Sequence, residues 1–355
     1  MKKKKLLIDL SMQKHPYCGL GQVAMNYGNY FKEHYKALQE NYELYLLLPK
    51  NKFGAFGSEV KYVNSHFLRK FFSFLNPRVD VWHSIHQCAY FKPFGKHATY
   101  ILTIHDYNFM YEKTPKKAQK YLRKVQREID RAQSIVAIST FTKTEVERFS
   151  DLKGKQVEVI SNGVEFLDVQ KAQCPAVCAK NEKPFFFTIG LVRVKKNFHT
   201  LLDCMKLFPE KQLYIAGEAT SNYAQNIQKR IENENITNVK LLGIISNEER
   251  IWLYKNCEAF LFPSLFEGFG LPVIEAMQCG KPVFSSQETS LKEIGGDYAY
   301  FWDNFEPQHM KAVIDSNLQA FQNNTELQEK TIAYAHSFSY EKHFEKYREL
   351  YKSYL

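Results

Sequence analysis

Short apolar runs alternate with longer amphipathic stretches along the chain, and most runs close on Ser, Asp or Gly. In the first half the runs are 6–10 (LLIDL), 42–49, 80–84, 99–106, 135–139 and 157–161. Between them, 20–38 and 115–131 carry a helical period. The pattern restarts with 185–190 (FFFTIG), 212–217, 239–243, 259–264, 282–286 and 298–302. Apolar runs this continuous suit strands of a parallel sheet covered on both faces. Strand–helix alternation in two halves predicts an α/β fold of two doubly wound, Rossmann-like domains facing a cleft.

The polar segment DVQKAQCPAVCAKNEKP, with two prolines, places the linker near 165–183. The expected units are therefore 1–168 and 183–335, followed by a terminal helix over 336–355. In that helix Phe344, Tyr347, Leu350 and Tyr351 recur at helical spacing. Ligands of open α/β sheets bind beyond the carboxyl ends of the strands, so the loops that follow the strands are where chemistry is expected.

Composition adds limits. A chain of 355 residues that is 45% hydrophobic has enough material for two cores. The formal net charge of +10 fits an anionic substrate, an anionic membrane surface or nucleic acid, and does not choose among them. The seven cysteines are scattered, and Cys174 and Cys178 form a C-x-x-x-C that is a poor zinc or redox spacing. All are expected to be reduced thiols of a cytoplasmic protein. The opening MKKKKLLIDL has a short apolar run interrupted by Asp9, and reads as a first strand rather than a signal peptide. No run approaches 18 apolar residues, so no membrane span is expected.

The segment richest in chemistry runs from Pro263 to Ala276 (PSLFEGFGLPVIEA). A buried strand is expected to end at Ser264, with a helix starting near Leu271 and Pro272 in its first turn, where proline is tolerated. Gly268 and Gly270 lack a Cβ, so their backbone can approach a ligand closely. The helix N-terminus behind them offers free N–H groups suited to phosphate. Glu267 stands before this loop, and Glu275 is expected in the first helical turn. Two carboxylates beside a phosphate cradle make good acceptors for sugar hydroxyls. A Glu in a first turn is also favourable without any ligand, so the pair means little outside its ten-residue context.

That context, E-G-F-G-L-P-V-I-E-A, resembles the signature of retaining glycosyltransferases of family 4, which have the two-domain GT-B architecture. The resemblance implies that Glu267 meets the donor sugar and Glu275 the ribose, with Gly268, Phe269, Gly270 and Leu271 around the donor. Other segments match in the same order. After Gly190 the family often has an Arg directly and a Lys six positions on. Lys196 matches the Lys, while Leu191 stands where the Arg is usual, leaving Arg193 or Lys195 as replacement cations for the leaving diphosphate. Gly19 and Gly21 match a glycine loop near the donor phosphate, and Thr103–Ile104–His105–Asp106 matches a His-Asp strand end near the donor sugar. A buried structural histidine is the plain alternative for His105. Gly217 and Gly243 match strand ends lining the nucleotide pocket. Phe338–Ser339–Tyr340–Glu341 resembles the last helix, which returns to the first domain.

By this resemblance the protein is a hexosyltransferase-type enzyme using a UDP or GDP sugar. It has no general base of its own, no cofactor and no metal. Its acceptor is a saccharide or lipid-linked saccharide. One helix is strongly basic: Lys113, Lys116, Lys117, Lys120, Arg123, Lys124, Arg127 and Arg131 crowd an apolar stripe of Ala118, Leu122, Val125 and Ile129. With the aromatic segment 66–75 it suggests peripheral contact with an anionic membrane, or a solvated helix packed normally on its sheet. Nucleic acid is not expected, since no binding motif is present. The alternatives are another GT-B nucleotide-sugar enzyme of epimerase type, and a basic non-catalytic binding protein.

Overall fold

The computed structural model describes residues 3–14, 19–39, 42–95, 97–179 and 183–354. The chain divides into two compact units, one of Met1–Gly163 with Tyr340–Leu355, the other of Val164–Ser339.

The first unit holds a seven-stranded sheet of β1 (Lys4–Asp9), β2 (Tyr42–Leu48), β3 (Lys61–Asn64), β4 (Val81–Ser84), β5 (Thr99–Ile104), β6 (Ser134–Ala137) and β7 (Val157–Val159), in the order β3-β2-β1-β4-β5-β6-β7. All neighbouring strands pair in parallel. The order reverses between β1 and β4, the switch point of a doubly wound sheet. Strand residues point alternately to two cores. Leu6 and Ile8 pack with the helices Gly19–Leu38 and Tyr340–Lys352, whereas Leu7, Trp82 and Leu102 pack under the helix Pro115–Arg131. The stripe predicted for that last helix holds: Ala118, Val125 and Ile129 are buried and Leu122 is half-buried.

The second unit repeats the scheme with β8 (Phe185–Ile189), β9 (Gln212–Ala216), β10 (Val239–Gly243), β11 (Ala259–Phe262), β12 (Val283–Ser286) and β13 (Ala299–Trp302), in the order β10-β9-β8-β11-β12-β13. Its pairs are parallel too, and its switch point lies between β8 and β11. The runs FFFTI, QLYIA and AFLF are buried almost throughout, as strands covered on both faces must be.

Four expectations are corrected. Lys61–Asn64 is a strand missed by pattern, because as a sheet edge it buries only Val63. The described residues 164–179 belong to the second unit rather than forming a free linker, and 180–182 lie outside the described residues. There the Val164 N–H donates to the Phe338 carbonyl (2.8 Å), the Leu167 N–H to Gln278 (3.2 Å) and the Gln173 N–H to the Glu248 carbonyl (3.1 Å). Gly19 and Gly21 lie in the first turn of a helix rather than in a loop, and Tyr17 and Cys18 fall outside the described residues. Glu275 sits at the fifth position after the Gly270 cap, in the second helical turn.

Among the described residues no helix is long and apolar enough to cross a membrane. The described cysteines, Cys88, Cys174, Cys178, Cys204, Cys257 and Cys279, are free thiols, and Cys18 lies outside the described residues.

Candidate active site

In the second unit, the carboxyl ends of β8 and β9 approach each other through two glycines. The Gly190 N–H donates to the Ala216 carbonyl (3.0 Å), and the Gly217 N–H donates to the Gly243 carbonyl at the end of β10 (2.7 Å). Gly217 has φ of 128°, and a Cβ there would lie 2.0 Å from the Gly190 oxygen. Only glycine permits this approach. A Cβ on Gly190 would in turn lie 2.8 Å from Cε of Lys196. Bare backbone at the strand end therefore makes room for the lysine stem.

Lys196 closes a short turn over Val194–Lys196, followed by Asn197 in the left-handed region at φ 57°. Its ammonium reaches Oε1 of Glu267 at 2.5 Å and stands 4.7 Å from the Phe262 ring centroid. The Ser264 hydroxyl donates to the same carboxylate oxygen at 2.6 Å. Both charged side chains are nearly buried, 10% and 15% exposed, so neither charge is well hydrated. Burial alone would raise the Glu267 carboxyl. The charges of Lys196 and Lys195, with the hydrogen bonds from Lys196 and Ser264, outweigh it and hold the group below its ordinary range. Glu267 is thus a fixed, ionised acceptor at neutral pH.

The loop that carries Glu267 is pinned from several sides. The Leu265 N–H donates to the Lys195 carbonyl at 2.8 Å, and Ser264 Oγ, whose proton goes to Glu267, lies 3.2 Å from the same carbonyl. The Glu267 N–H donates to Thr289 Oγ1 at 3.0 Å, and the Ser290 hydroxyl donates to the carbonyls of Glu267 (3.0 Å) and Phe269 (2.9 Å). Phe269 is buried edge-on against Phe338, so its ring is an anchor for the loop rather than a ligand surface. Gly270 then caps the helix Leu271–Gln278 with φ of 111°. That backbone conformation disfavours any side chain, and a Cβ would also lie 2.7 Å from Leu291.

Glu275 is held separately. Arg250 Nη1 pairs with its Oε1 at 2.6 Å, and the Tyr254 hydroxyl donates to its Oε2 at 2.8 Å. Arg250 and Tyr254 are four residues apart on the helix Asn247–Asn256, so one helix face presents both donors. Glu275 in turn raises the Arg250 guanidinium above its usual value. Sequence reading missed Ser264, Arg250, Tyr254, Thr289 and Ser290 as supports. The available signal was an Arg–Tyr pair at i, i+4 on a helix with no clear apolar face.

The other sequence candidates fall elsewhere. Arg193 is exposed and precedes the Lys196 turn, outside the Glu267 cluster. Lys195 contributes its carbonyl to the loop and its charge to Glu267. Gly19, Gly21 and His105 belong to the first unit. His105 is buried: its Nε2 meets the Ile85 carbonyl at 2.8 Å, and its backbone N–H donates to Gln87 at 3.1 Å. Burial pushes its imidazole down to about 4, against the Ile85 hydrogen bond, so the ring is neutral near pH 7, with Nε2 as donor.

The chain matches two family models of one kind. Residues 31–166 match the model described as "Glycosyltransferase Family 4", and residues 171–338 match "Glycosyl transferases group 1". The chain belongs to the family 4 glycosyltransferases. Curated relatives agree at low identity. The family member is 28% identical to O-antigen chain mannosyltransferase B of Escherichia coli, over 68% of this chain and 67% of that protein. It is also 28% identical to the serotype-specific mannosyltransferase WbdA of Escherichia coli, over 64% of this chain. It spans only 29% of WbdA. Among solved structures, the sucrose-phosphate synthase of Thermosynechococcus elongatus has a TM-score of 0.74 at 16% identity, with 99% of both chains covered. Anabaena Alr3699/HepE, solved with UDP and glucose, has a TM-score of 0.76 at 17% identity, covering 99% of this chain and 100% of that one. These likenesses establish the two-domain GT-B fold of this family member.

Proposed function

We propose that the protein is a retaining glycosyltransferase. It moves a sugar from a UDP or GDP sugar to a hydroxyl of a saccharide or lipid-linked saccharide, in cell-surface polysaccharide synthesis on the cytoplasmic side. The observation that carries this reading is the constellation of Glu267, locked by Lys196 and Ser264, with Glu275 locked by Arg250 and Tyr254. The O-antigen mannosyltransferases among the relatives support the polysaccharide setting.

In this reading Glu267 accepts hydrogen bonds from donor-sugar hydroxyls, and Glu275 accepts them from the ribose. A diphosphate gains negative charge as the glycosidic bond breaks. Lys196, with Arg193 or Lys195, meets that charge, and the N–H groups of the Gly268–Leu271 loop add fixed dipoles. The incoming hydroxyl attacks from the face the diphosphate leaves, and a phosphate oxygen takes its proton. The protein acts by positioning and by charge stabilisation. The cations in this account are side chains, so the reaction needs no divalent metal.

The test is turnover of a panel of UDP- and GDP-sugars with saccharide acceptors, in EDTA, with the anomeric configuration of the product read by NMR. The reading expects release of one nucleoside diphosphate, a retained anomeric centre and full rate in EDTA. An inverted product overturns the retaining mechanism. Strict dependence on Mg²⁺ or Mn²⁺ overturns the metal-free one.

A further inference from the structure

In the first unit, the chain passes from β3 to β4 without a crossover helix. Residues 65–80 make the passage through two short turns, Phe67–Lys70 and Ser73–Leu75. The turns are built, not loose: Arg69 donates to the Leu75 carbonyl, and Asn76 Nδ2 donates to the Lys92 carbonyl at 2.7 Å. A crossover helix would bury its apolar residues on the sheet. Here they face outward instead, with Phe71 75% exposed, Phe74 62% and Phe67 57%, and with Leu68, Phe72 and Leu75 exposed beside them. Six large apolar side chains in nine residues are far more than scattered surface hydrophobics require.

This segment meets the basic helix. A cavity of about 720 Å³ is lined by Arg69, Lys70 and Phe71 of the aromatic turn, by Lys92, and by Arg131 at the end of the helix Pro115–Arg131. That helix exposes Lys116, Lys117, Lys120, Arg123, Lys124 and Arg127. The nearby carboxylates are largely committed: Glu128 is buried against Lys92 at 2.5 Å, and Asp130 pairs with Lys153 at 2.8 Å. At the cavity itself Arg69, Lys70 and Arg131 stand beside the exposed Phe71, with Asp130, which Lys153 holds, as the carboxylate in its lining.

We infer that this face is a docking surface for an anionic phospholipid bilayer. The phenylalanines of 67–74 enter the interfacial region, and the cavity lined by Arg69, Lys70 and Arg131 receives an anionic headgroup. Charge complementarity decides the occupant. Lysine is depleted in the cores of protein–protein interfaces. Lysine and arginine beside exposed aromatics are what an anionic lipid surface selects. The surface lies in the first unit and uses none of the residues of the Glu267 and Glu275 cluster, so it stands or falls apart from the proposed reaction.

The experiment is co-sedimentation of the full chain with vesicles of phosphatidylcholine alone and of phosphatidylcholine with 30% phosphatidylglycerol, at low and at physiological salt. Binding is expected only to the anionic vesicles, weakening with salt. F71S/F74S is expected to lower partition at least tenfold at both salts, with melting temperature unchanged. Charge reversal by K116E/K120E/R123E is expected to lower it on the order of 100-fold at low salt, since each cation near such a surface contributes several-fold. Equal sedimentation of wild type and F71S/F74S would overturn the assignment, as would no binding of the wild type to anionic vesicles at low salt. If F71S/F74S instead converts an oligomer to a monomer on gel filtration, the patch is a self-association surface and the bilayer reading is wrong.

Discussion

The two units use the same parallel scaffold, but two of their buried polar clusters are built in opposite ways. In the second unit the strand ends hold compensated charge, Glu267 with Lys196 and Glu275 with Arg250. In the first unit the polar groups buried beneath the helix Tyr340–Lys352 form a neutral network. His83 meets the Tyr351 hydroxyl at 2.7 Å and Thr103 at 2.8 Å, while His343 meets the Ser161 carbonyl at 2.6 Å and the Tyr27 hydroxyl at 3.0 Å. These bonds tie the returning helix Tyr340–Lys352 onto its sheet. Charged pairs fix ionised acceptors where a ligand can use them, and are costly to break singly. A neutral network packs like a core, and its weakness is protonation.

The largest effect that sharpens this contrast is expected at Lys196. K196M leaves a buried carboxylate without its cation, which costs about 3–5 kcal/mol by thermal or urea unfolding of the second unit. It should also lower kcat by about 100-fold or more, as removal of a charge-stabilising group does. The double variant K196M/E267Q should recover most of the stability and none of the activity. A double variant no more stable than K196M would mean that the pair is not the balanced unit described here.

Acid tests the first unit. Burial holds His83 and His86 down to about 3, and His105 and His343 down to about 4. Their unfolded imidazoles titrate near 6.5, so between about pH 6.5 and 4 the unfolded chain binds more protons and stability is lost as pH falls. Asp9 opposes this, since burial raises its carboxyl to about 6 and the folded state gains that proton first. Four imidazoles against one carboxyl leave a net loss on the order of 6 kcal/mol from pH 7 to 5. Circular dichroism melts at the two pH values check it; an unchanged midpoint would refute the neutral assignment.

A smaller effect is expected at Arg250. R250K keeps the charge but loses the planar donor set, and should raise KM for the donor about tenfold with little change in kcat. A change in kcat alone would place Glu275 in the chemistry rather than in nucleotide binding.

Much of this was legible beforehand for a physical reason. Strands buried on both faces write continuous apolar runs, and the loop at 263–276 writes its glycines and glutamates in one local segment. What escaped was non-local or weakly buried. Lys61–Asn64 buries one side chain, so no pattern marks it. Arg250 and Tyr254 reach Glu275 from another helix; their i, i+4 spacing marks a shared helix face but not the side chain it meets. The glycines at 19 and 21 signalled a loop, but in the structure they open a helix.

The central claim is that Glu267 and Glu275 form a donor-nucleotide site. The most direct measurement is the thermal shift of wild type and E275A against UDP, GDP and their sugars, since a ligand that binds only the folded state raises the melting temperature. One nucleotide should stabilise the wild type, and E275A should lose most of that shift while keeping a folded melting transition. An equal shift in E275A, or no shift with any nucleotide, would contradict the claim.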